Sequence, residues 1–167
     1  MSSRRKPRLI EEDGRWFADS CVVVGDVTVG EQVSIWYGTV VRGDVARISI
    51  GARTNLQDLA CVHPQHDQDV EIGADCVIGH GAIVHNRFVG DGCLIGMGAI
   101  LMPGARIGAG AIVAAGALVP IGADVPPKSL VVGSPGRVVR SVKESETREI
   151  AEGVERYLDL ARRHAAP

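Results

Sequence analysis

The sequence predicts an all-β domain, a triangular β-helix of short parallel strands, with an α-helix at its C-terminal end. Three observations support this prediction. An aliphatic residue recurs at every sixth position over most of the chain, and 21 of the 167 residues are glycine. Only 4% of residues are aromatic although 46% are hydrophobic. The core therefore has to be narrow and packed with small aliphatic side chains.

The aliphatic series sets the register of the prism. Its members step by six residues, except for steps of nine after Val41, ten after Val62 and five after Val84. A helix would need a period of 3.6 residues, which this pattern lacks. The full series is Val23, Val29, Ile35, Val41, Ile50, Leu56, Val62, Ile72, Ile78, Val84, Val89, Ile95, Leu101, Ile107, Val113, Val119, Val125 and Val131.

Each six-residue unit predicts one short strand and one corner, and three units complete one coil. The side chain two residues before an aliphatic member is usually small, and strand alternation places both on the inward side. Glycine often follows the aliphatic member, where the backbone must turn. The pattern resembles left-handed parallel β-helices of the hexapeptide-repeat class, and the left hand is implied by that resemblance alone.

The C-terminal segment follows a different pattern. The repeats end near Val131, and GSPGRVVR predicts a turn and an exit strand. Ser141 and Glu144 have the spacing of a capping box. The apolar stripe of the helix consists of Ile150, Val154, Tyr157, Leu158 and Ala161. We expect a β-helix domain over residues 1–140 and, over residues 141–167, a helix packed on the outside of the prism.

Charge and hydropathy exclude several classes of partner. The net charge of −2, from 18 basic and 20 acidic side chains, predicts no binding of nucleic acid or of an anionic membrane. No apolar run is long enough to cross a membrane. Arg4 and Arg5 are not followed by the apolar region of a signal peptide, so we expect a cytoplasmic protein.

The register places two histidines in one outward column. Equivalent inward valines on three successive coils are followed by Arg42, His63 and His85. Coils are about 4.8 Å apart, so two stacked imidazoles can share one metal ion. His80 lies on a different strand of the same coil as His85, beyond easy reach within one chain. A neighbouring subunit could supply it instead.

Further polar residues lie close to this column. Asn55 and Gln57 flank an inward leucine and point outward, and Asp58 follows them. Arg42 and Asp44 precede the nine-residue step of the series. These groups could orient a metal-bound water or join subunits.

At these residues the sequence resembles the gamma-class carbonic anhydrase family, over nearly the whole chain. The matching motifs are VVRGD (40–44), TNLQD (54–58), VH (62–63) and GHGAIVH (79–85), followed by LIGMGA and GSPGR. Each motif alone is only weakly specific for this family, whereas the ordered set with three histidines is highly specific for it.

The resemblance implies a homotrimer that hydrates carbon dioxide to bicarbonate. In it His63, His80 and His85 would be the metal ligands, shared between neighbouring subunits. Gln57 would hydrogen-bond the metal-bound water with support from Asn55. The remaining implied residues form a polar network between subunits and beside the substrate; they are Arg42, Asp44 and Asp58.

General chemistry leads us to expect a particular metal and an oligomer. Three neutral histidines leave an open position for water, and zinc is the default metal. Iron(II) or cobalt(II) could occupy the same nitrogens.

A slim prism buries few large residues, so we expect flat faces with Trp36 and Arg42 available to a partner subunit. The family's best-known active members have an acidic residue where Val45 stands, so the route of proton transfer is open.

Three other functions remain open at this point. Hexapeptide-repeat acyltransferases share the prism but normally use one catalytic histidine. A metal-dependent thioesterase would use the same metal-bound hydroxide. A non-catalytic binding or assembly subunit is the third alternative.

Overall fold

The computed structural model describes residues 8–165, which form a parallel β-helix followed by one α-helix. The predicted fold class is thereby confirmed. The helix, α1, spans Glu144–Ala165. The strands are β1 (Leu9–Glu12), β2 (Arg15–Ala18), β3 (Val22–Val29), β4 (Ser34–Ile35), β5 (Val40–Ile50), β6 (Asn55–Leu56), β7 (Cys61–Val62), β8 (Val70–Ile72), β9 (Val77–Ile78), β10 (Ile83–Val84), β11 (Phe88–Val89), β12 (Leu94–Ile95), β13 (Ile100–Leu101), β14 (Arg106–Ile107), β15 (Ile112–Val113), β16 (Leu118–Val119), β17 (Asp124–Val125), β18 (Ser129–Val132) and β19 (Arg137–Ser141).

Successive coils stack into two sheets that cover three faces of the prism. One sheet has the order β1-β2-β4-β6-β9-β12-β15-β18-β19 and forms what we call the helix face. The other has the order β16-β13-β10-β7-β5-β8-β11-β14-β17, with β3 beside β5. The start of β5 pairs with β7 and its end pairs with β8, so this sheet covers two faces. We call the β7 side the histidine face and the β8 side the polar face.

The inward aliphatic series forms the core as predicted. From Ile35 to Val119 every member is at most 3% exposed. Val23 was predicted to be inward and is instead 38% exposed. It lies in the first coil, which has a neighbouring strand on one side only, so no further coil covers it.

The corners explain why glycine recurs. Gly81 has φ +65°, a left-handed conformation that side chains with a Cβ adopt at a cost. Gly79 is needed for a different reason, because a Cβ there would lie 2.7 Å from the Met97 nitrogen of the next coil. The corners therefore stack in direct backbone contact.

Helix α1 packs along the helix face through the predicted apolar stripe. Ile150, Val154 and Leu158 are each at most 6% exposed and cluster with Trp36 and other residues of that face. Trp36 was expected to be available to a partner subunit, but it is only 4% exposed because α1 covers it. Within residues 8–165, no helix is long and apolar enough to cross a membrane.

The start of α1 differs from the predicted capping box. Ser141 ends β19, and the helix begins only at Glu144. The capping contact comes from Glu146, whose carboxylate accepts a hydrogen bond from the Lys143 amide at 2.8 Å. Glu146 also forms two 2.7 Å hydrogen bonds with the Arg140 guanidinium. These contacts hold the pKa of Glu146 at about 2, well below its usual value.

Candidate metal centre

The stacking of coils brings His63 and His85 together. The valines that precede them are paired in register on β7 and β10. The two imidazole rings are parallel within 4°, with centroids 5.4 Å apart. His85 Nδ1 hydrogen-bonds the His63 carbonyl oxygen. Because a carbonyl can only accept, Nδ1 carries a proton, so in the neutral form of His85 the lone pair is on Nε2.

Asp44 and Arg42 hold the other histidine of this pair. Asp44 Oδ1 lies 3.1 Å from His63 Nε2, and the second carboxylate oxygen of Asp44 pairs with Arg42. The Arg42 guanidinium, with help from His63, lowers the pKa of the Asp44 carboxyl. Both members of the Arg42–Asp44 pair are 44% exposed. We call Arg42, Asp44, His63 and His85 the first half-site.

His80 lies in a second polar group, on the corner that follows β9. Its Nδ1 is 2.8 Å from the Asp58 carboxylate, and its Nε2 is 3.3 Å from the Tyr157 hydroxyl. The carboxylate fixes the proton on Nδ1, so in neutral His80 Nε2 has the lone pair and accepts from Tyr157. The backbone amide of His80 donates to Gln57 Oε1 at 3.2 Å, and Gln57 Nε2 donates to Asn55 Oδ1 at 3.2 Å. We call these five residues the second half-site.

Asn55 and Gln57 flank the inward leucine as predicted, but neither is at the surface. Asn55 is 1% exposed and Gln57 is 6% exposed, whereas Asp58 beside them is partly exposed. A buried amide has to be hydrogen-bonded, and both amides are. The conformation of Gln57 is therefore fixed by contacts within its own chain.

The structure thus places the predicted site residues in two separate groups. Among residues 8–165, no three His, Cys, Asp or Glu side chains converge on one metal position. His63 and His85 lie in one group and His80 in the other, each with its own carboxylate partner. One chain therefore brings the three predicted ligands into two separate groups, neither of which contains all three.

Tyr157 is a functional candidate that sequence reasoning assigned only to helix packing. Its ring meets Trp36 edge-on, with centroids 5.2 Å apart, while its hydroxyl reaches His80. Burial, and then the charge of Asp58, raise the pKa of Tyr157, so the phenol keeps its proton. A tyrosine in an otherwise aliphatic stripe was the available signal, because a buried hydroxyl needs a partner.

Comparison with protein families identifies the repeat. The family model described as bacterial transferase hexapeptide (six repeats) matches residues 88–120. The chain is also similar to solved hexapeptide folds. One is a hexapeptide transferase family protein from Anaplasma phagocytophilum, with 34% identity and a TM-score of 0.77, covering 95% of this chain and 98% of that one. Another, from Bacillus cereus and described as a "putative acetyltransferase", has 35% identity and a TM-score of 0.89, covering 92% of this chain and 90% of that one.

Similarity to curated proteins extends over most of the chain. A Methanocaldococcus jannaschii protein named "Probable carbonic anhydrase" is 51% identical, covering 86% of this chain and 91% of its own. A Geobacillus kaustophilus carbonic anhydrase is 40% identical, covering 90% and 83%. The mitochondrial gamma carbonic anhydrase 2 of Arabidopsis thaliana is 36% identical, covering 96% of this chain and 60% of its own.

Proposed function

Because the chain belongs to the gamma-class carbonic anhydrase family, we propose that it hydrates carbon dioxide reversibly at metal centres shared between the subunits of a homotrimer. The observation that supports this proposal is the division of the predicted ligands into two half-sites. A site closed by two chains joins the first half-site of one subunit to the second half-site of its neighbour. A ring of three such contacts uses every half-site once, which closed symmetry requires.

The residues present fit a metal ion. In neutral form each of the three imidazoles keeps one nitrogen without a proton, the donor that a metal needs. Carbonyl or carboxylate partners orient all three rings, as outer-shell groups do in metal sites. Three nitrogen ligands with an open position suit zinc, and iron(II) or cobalt(II) can use the same donors. When bound, such an ion would supply an acidified water that attacks carbon dioxide.

Gln57 is the residue best placed to hold the reacting oxygen. Its amide donates one proton to Asn55 and its oxygen faces the His80 amide. One N–H of the side chain remains, and it can donate to oxygen at the His80 side of the site. Since both Gln57 and His80 belong to the second half-site, their relative positions do not depend on subunit assembly.

Asp44 has a different role in the proposed assembly. In the free chain the Asp44 carboxylate contacts both His63 Nε2 and the Arg42 guanidinium. The carboxylate orients His63 and gives the first half-site a polar surface for a neighbouring subunit. Asp58 orients His80 in the same way from the other side of the contact.

The outward side chains of the histidine face support a partner subunit. A column of aliphatic side chains and one cysteine runs up this face, with the strands paired in register. Its members are Val22, Val40, Cys61, Ile83, Ile100 and Leu118. The equivalent column of the polar face is Thr28, Ser49, Glu71, Phe88, Arg106 and Asp124. Only the first column has the composition of a buried contact, and it lies beside His63 and His85.

Metal analysis combined with stopped-flow hydration of carbon dioxide tests this proposal. Protein purified without air should contain about one metal ion per chain and lose its activity on chelation. His63→Ala should lose both metal and activity. His66→Ala is the matched control for metal content, since His66 is 74% exposed and, among residues 8–165, forms an ion pair only with neighbouring Asp67. A fully metallated trimer without hydration activity would contradict the proposed function.

The cytoplasmic location expected from the sequence stays a prediction.

A further inference from the structure

The two ends of the prism differ in how well the core is covered. At the end formed by the last coil, the inward residues Val119, Val125 and Val131 are at most 5% exposed. At the end formed by β1 and by the first coil, Ile10 is 40% exposed and Val23 is 38% exposed. We call the first the closed end and the second the open end. Apolar side chains of the open end therefore remain in contact with solvent in a single chain.

The edge strands at the closed end are protected against pairing with another chain. The segment after β18 covers β16, because Leu118 forms backbone hydrogen bonds with Gly133 and Gly136 at 3.0 and 2.7 Å. Strand β17 is two residues long, and β19 carries Arg137 and Arg140. Short strands, covering segments and charged side chains are common means by which proteins prevent edge-to-edge association.

The open end has one edge strand, β3, that lacks this protection. Its neighbour at that end, β1, has four residues, and two of them are Glu11 and Glu12. Strand β3 has eight residues and, within residues 8–165, pairs only with β5. Its first four residues, 22–25, carry no charge, and the three valines among them are between 38% and 48% exposed. A strand with one neighbour keeps a row of unpaired N–H and C=O groups, which is a template for a further strand.

A second copy of the chain matches this edge better than residues 1–7 do. Three of those seven residues are basic and two are serine, so they offer little apolar surface to the valines. A second copy brings the same valines and the same unpaired backbone groups. When the two β3 strands run antiparallel across a two-fold axis, the uncharged segment 22–25 faces itself, and no like charges lie opposite each other within it.

We propose that two copies of the chain dock end to end, with β3 of one copy antiparallel to β3 of the other. The contact buries Ile10 and Val23 and extends the sheet from one prism into the next. In the ring of three subunits, which rests on the proposed function, three-fold symmetry places the three open ends on the same side of the ring. Two rings can then join through three contacts at once, so each contact can be weak alone.

Sedimentation velocity at micromolar concentration tests the end-to-end contact. The unaltered protein should have the mass of six chains, and Val23→Lys should have half that mass, because the new ammonium would face its symmetry mate. A mass of three chains for the unaltered protein would overturn the inference and leave the ring standing. A mass of two chains, decreasing to one in Val23→Lys, would support the end contact and contradict the ring of the proposed function.

Two further lysine variants provide the comparison. Val138 is 49% exposed on β19, an edge strand of the closed end, so Val138→Lys is the matched control and should keep the mass of the unaltered protein. Ile10→Lys places a charge at the open end from a different strand and should halve the mass, even if Val23→Lys fails to fold. Circular dichroism identifies the variants that are folded. Equal masses for the folded open-end variant and for Val138→Lys would overturn the inference.

Hydrogen exchange and a deletion show which segment forms the contact. Backbone amides of β3 that point away from β5 should exchange at least about tenfold more slowly in the unaltered protein than in Ile10→Lys, because strand pairing protects them. Deletion of residues 2–7 should leave both the mass and this protection unchanged. Loss of the larger mass on deletion would assign the contact to residues 2–7 and overturn the inference, as would equal exchange of the β3 amides in the two proteins.

Discussion

The two half-sites are built by different parts of the fold. In the first half-site, the repeat stacks His63 on His85. The other two residues of this half-site, Arg42 and Asp44, lie at the surface and form an ion pair. In the second half-site a single proposed ligand, His80, contacts Asp58, a buried amide and a tyrosine of α1. Coil stacking therefore positions two of the proposed ligands, whereas the third contacts groups of the corner and of the helix.

This difference predicts which substitutions separate metal binding from catalysis. Changes in the second half-site should act on the position of one proposed ligand and on the oxygen that would react. Changes in the first half-site should act on two proposed ligands at once.

The largest of these effects is expected for Gln57→Ala. The variant should keep its metal, because Gln57 is not among the ligands, and lose about 10²–10³-fold in hydration kcat as one transition-state hydrogen bond is removed. Stopped-flow rates and metal content measured on the same sample test this. Loss of metal together with activity would show that Gln57 is needed to build the half-site instead.

Asp58→Asn should have a smaller effect, directed at the metal. Removing a carboxylate that orients a metal-binding histidine typically weakens metal affinity by about 10–100-fold. Competition with a metal-binding dye gives that affinity. Unchanged affinity would mean that the 2.8 Å contact between His80 and Asp58 does not orient the ligand.

Tyr157→Phe should change metal affinity in the opposite direction. The Tyr157 hydroxyl occupies His80 Nε2, the nitrogen that a metal would need. Removing one hydrogen bond worth about 1 kcal/mol should tighten metal binding roughly fivefold. The same competition assay applies, and weaker binding would contradict this account of Tyr157.

The smallest effect concerns the attachment of α1, which supports only the second half-site. The pKa of Glu146 is about 2 in the folded protein, lowered mainly by Arg140, so its contribution to folding is present above its ordinary pKa. That contribution is lost as the pH falls from about 4.5 towards 2. Thermal unfolding followed by circular dichroism should therefore show a smaller decrease in Tm over this range for Glu146→Gln than for the unaltered chain. Equal decreases in the two proteins would contradict the role of this ion pair.

The sequence was sufficient for the parts of the molecule that the repeat determines. A constant step fixes which residues share a column, so the stacking of His63 on His85 followed directly from Val62 and Val84. The repeat could not predict the exposure of Val23, because that exposure depends on where the stack of coils ends.

Contacts between the prism and α1 could not be predicted from the repeat. The start of the helix was placed too early because Arg140 and Glu146 pair across a turn that local capping rules do not describe. Tyr157 fitted the apolar stripe, so its polar contact with His80 was missed. Burial of Gln57 likewise depends on how the corner and the helix meet.

Mixing of subunits tests the central claim that each metal centre joins half-sites from two chains. Subunits carrying His63→Ala and subunits carrying His80→Ala are unfolded and refolded together, and exchange is confirmed by mass spectrometry. Each variant alone should lack metal. In equal mixtures about a quarter of the contacts in a closed ring should join an intact first half-site to an intact second one, so that fraction of metal and activity should return. A mixture of His63→Ala with His85→Ala is the control, because both changes lie in the first half-site and no intact site can form. Recovery only in the first mixture is the predicted result, and no recovery there despite complete exchange would contradict the shared centre.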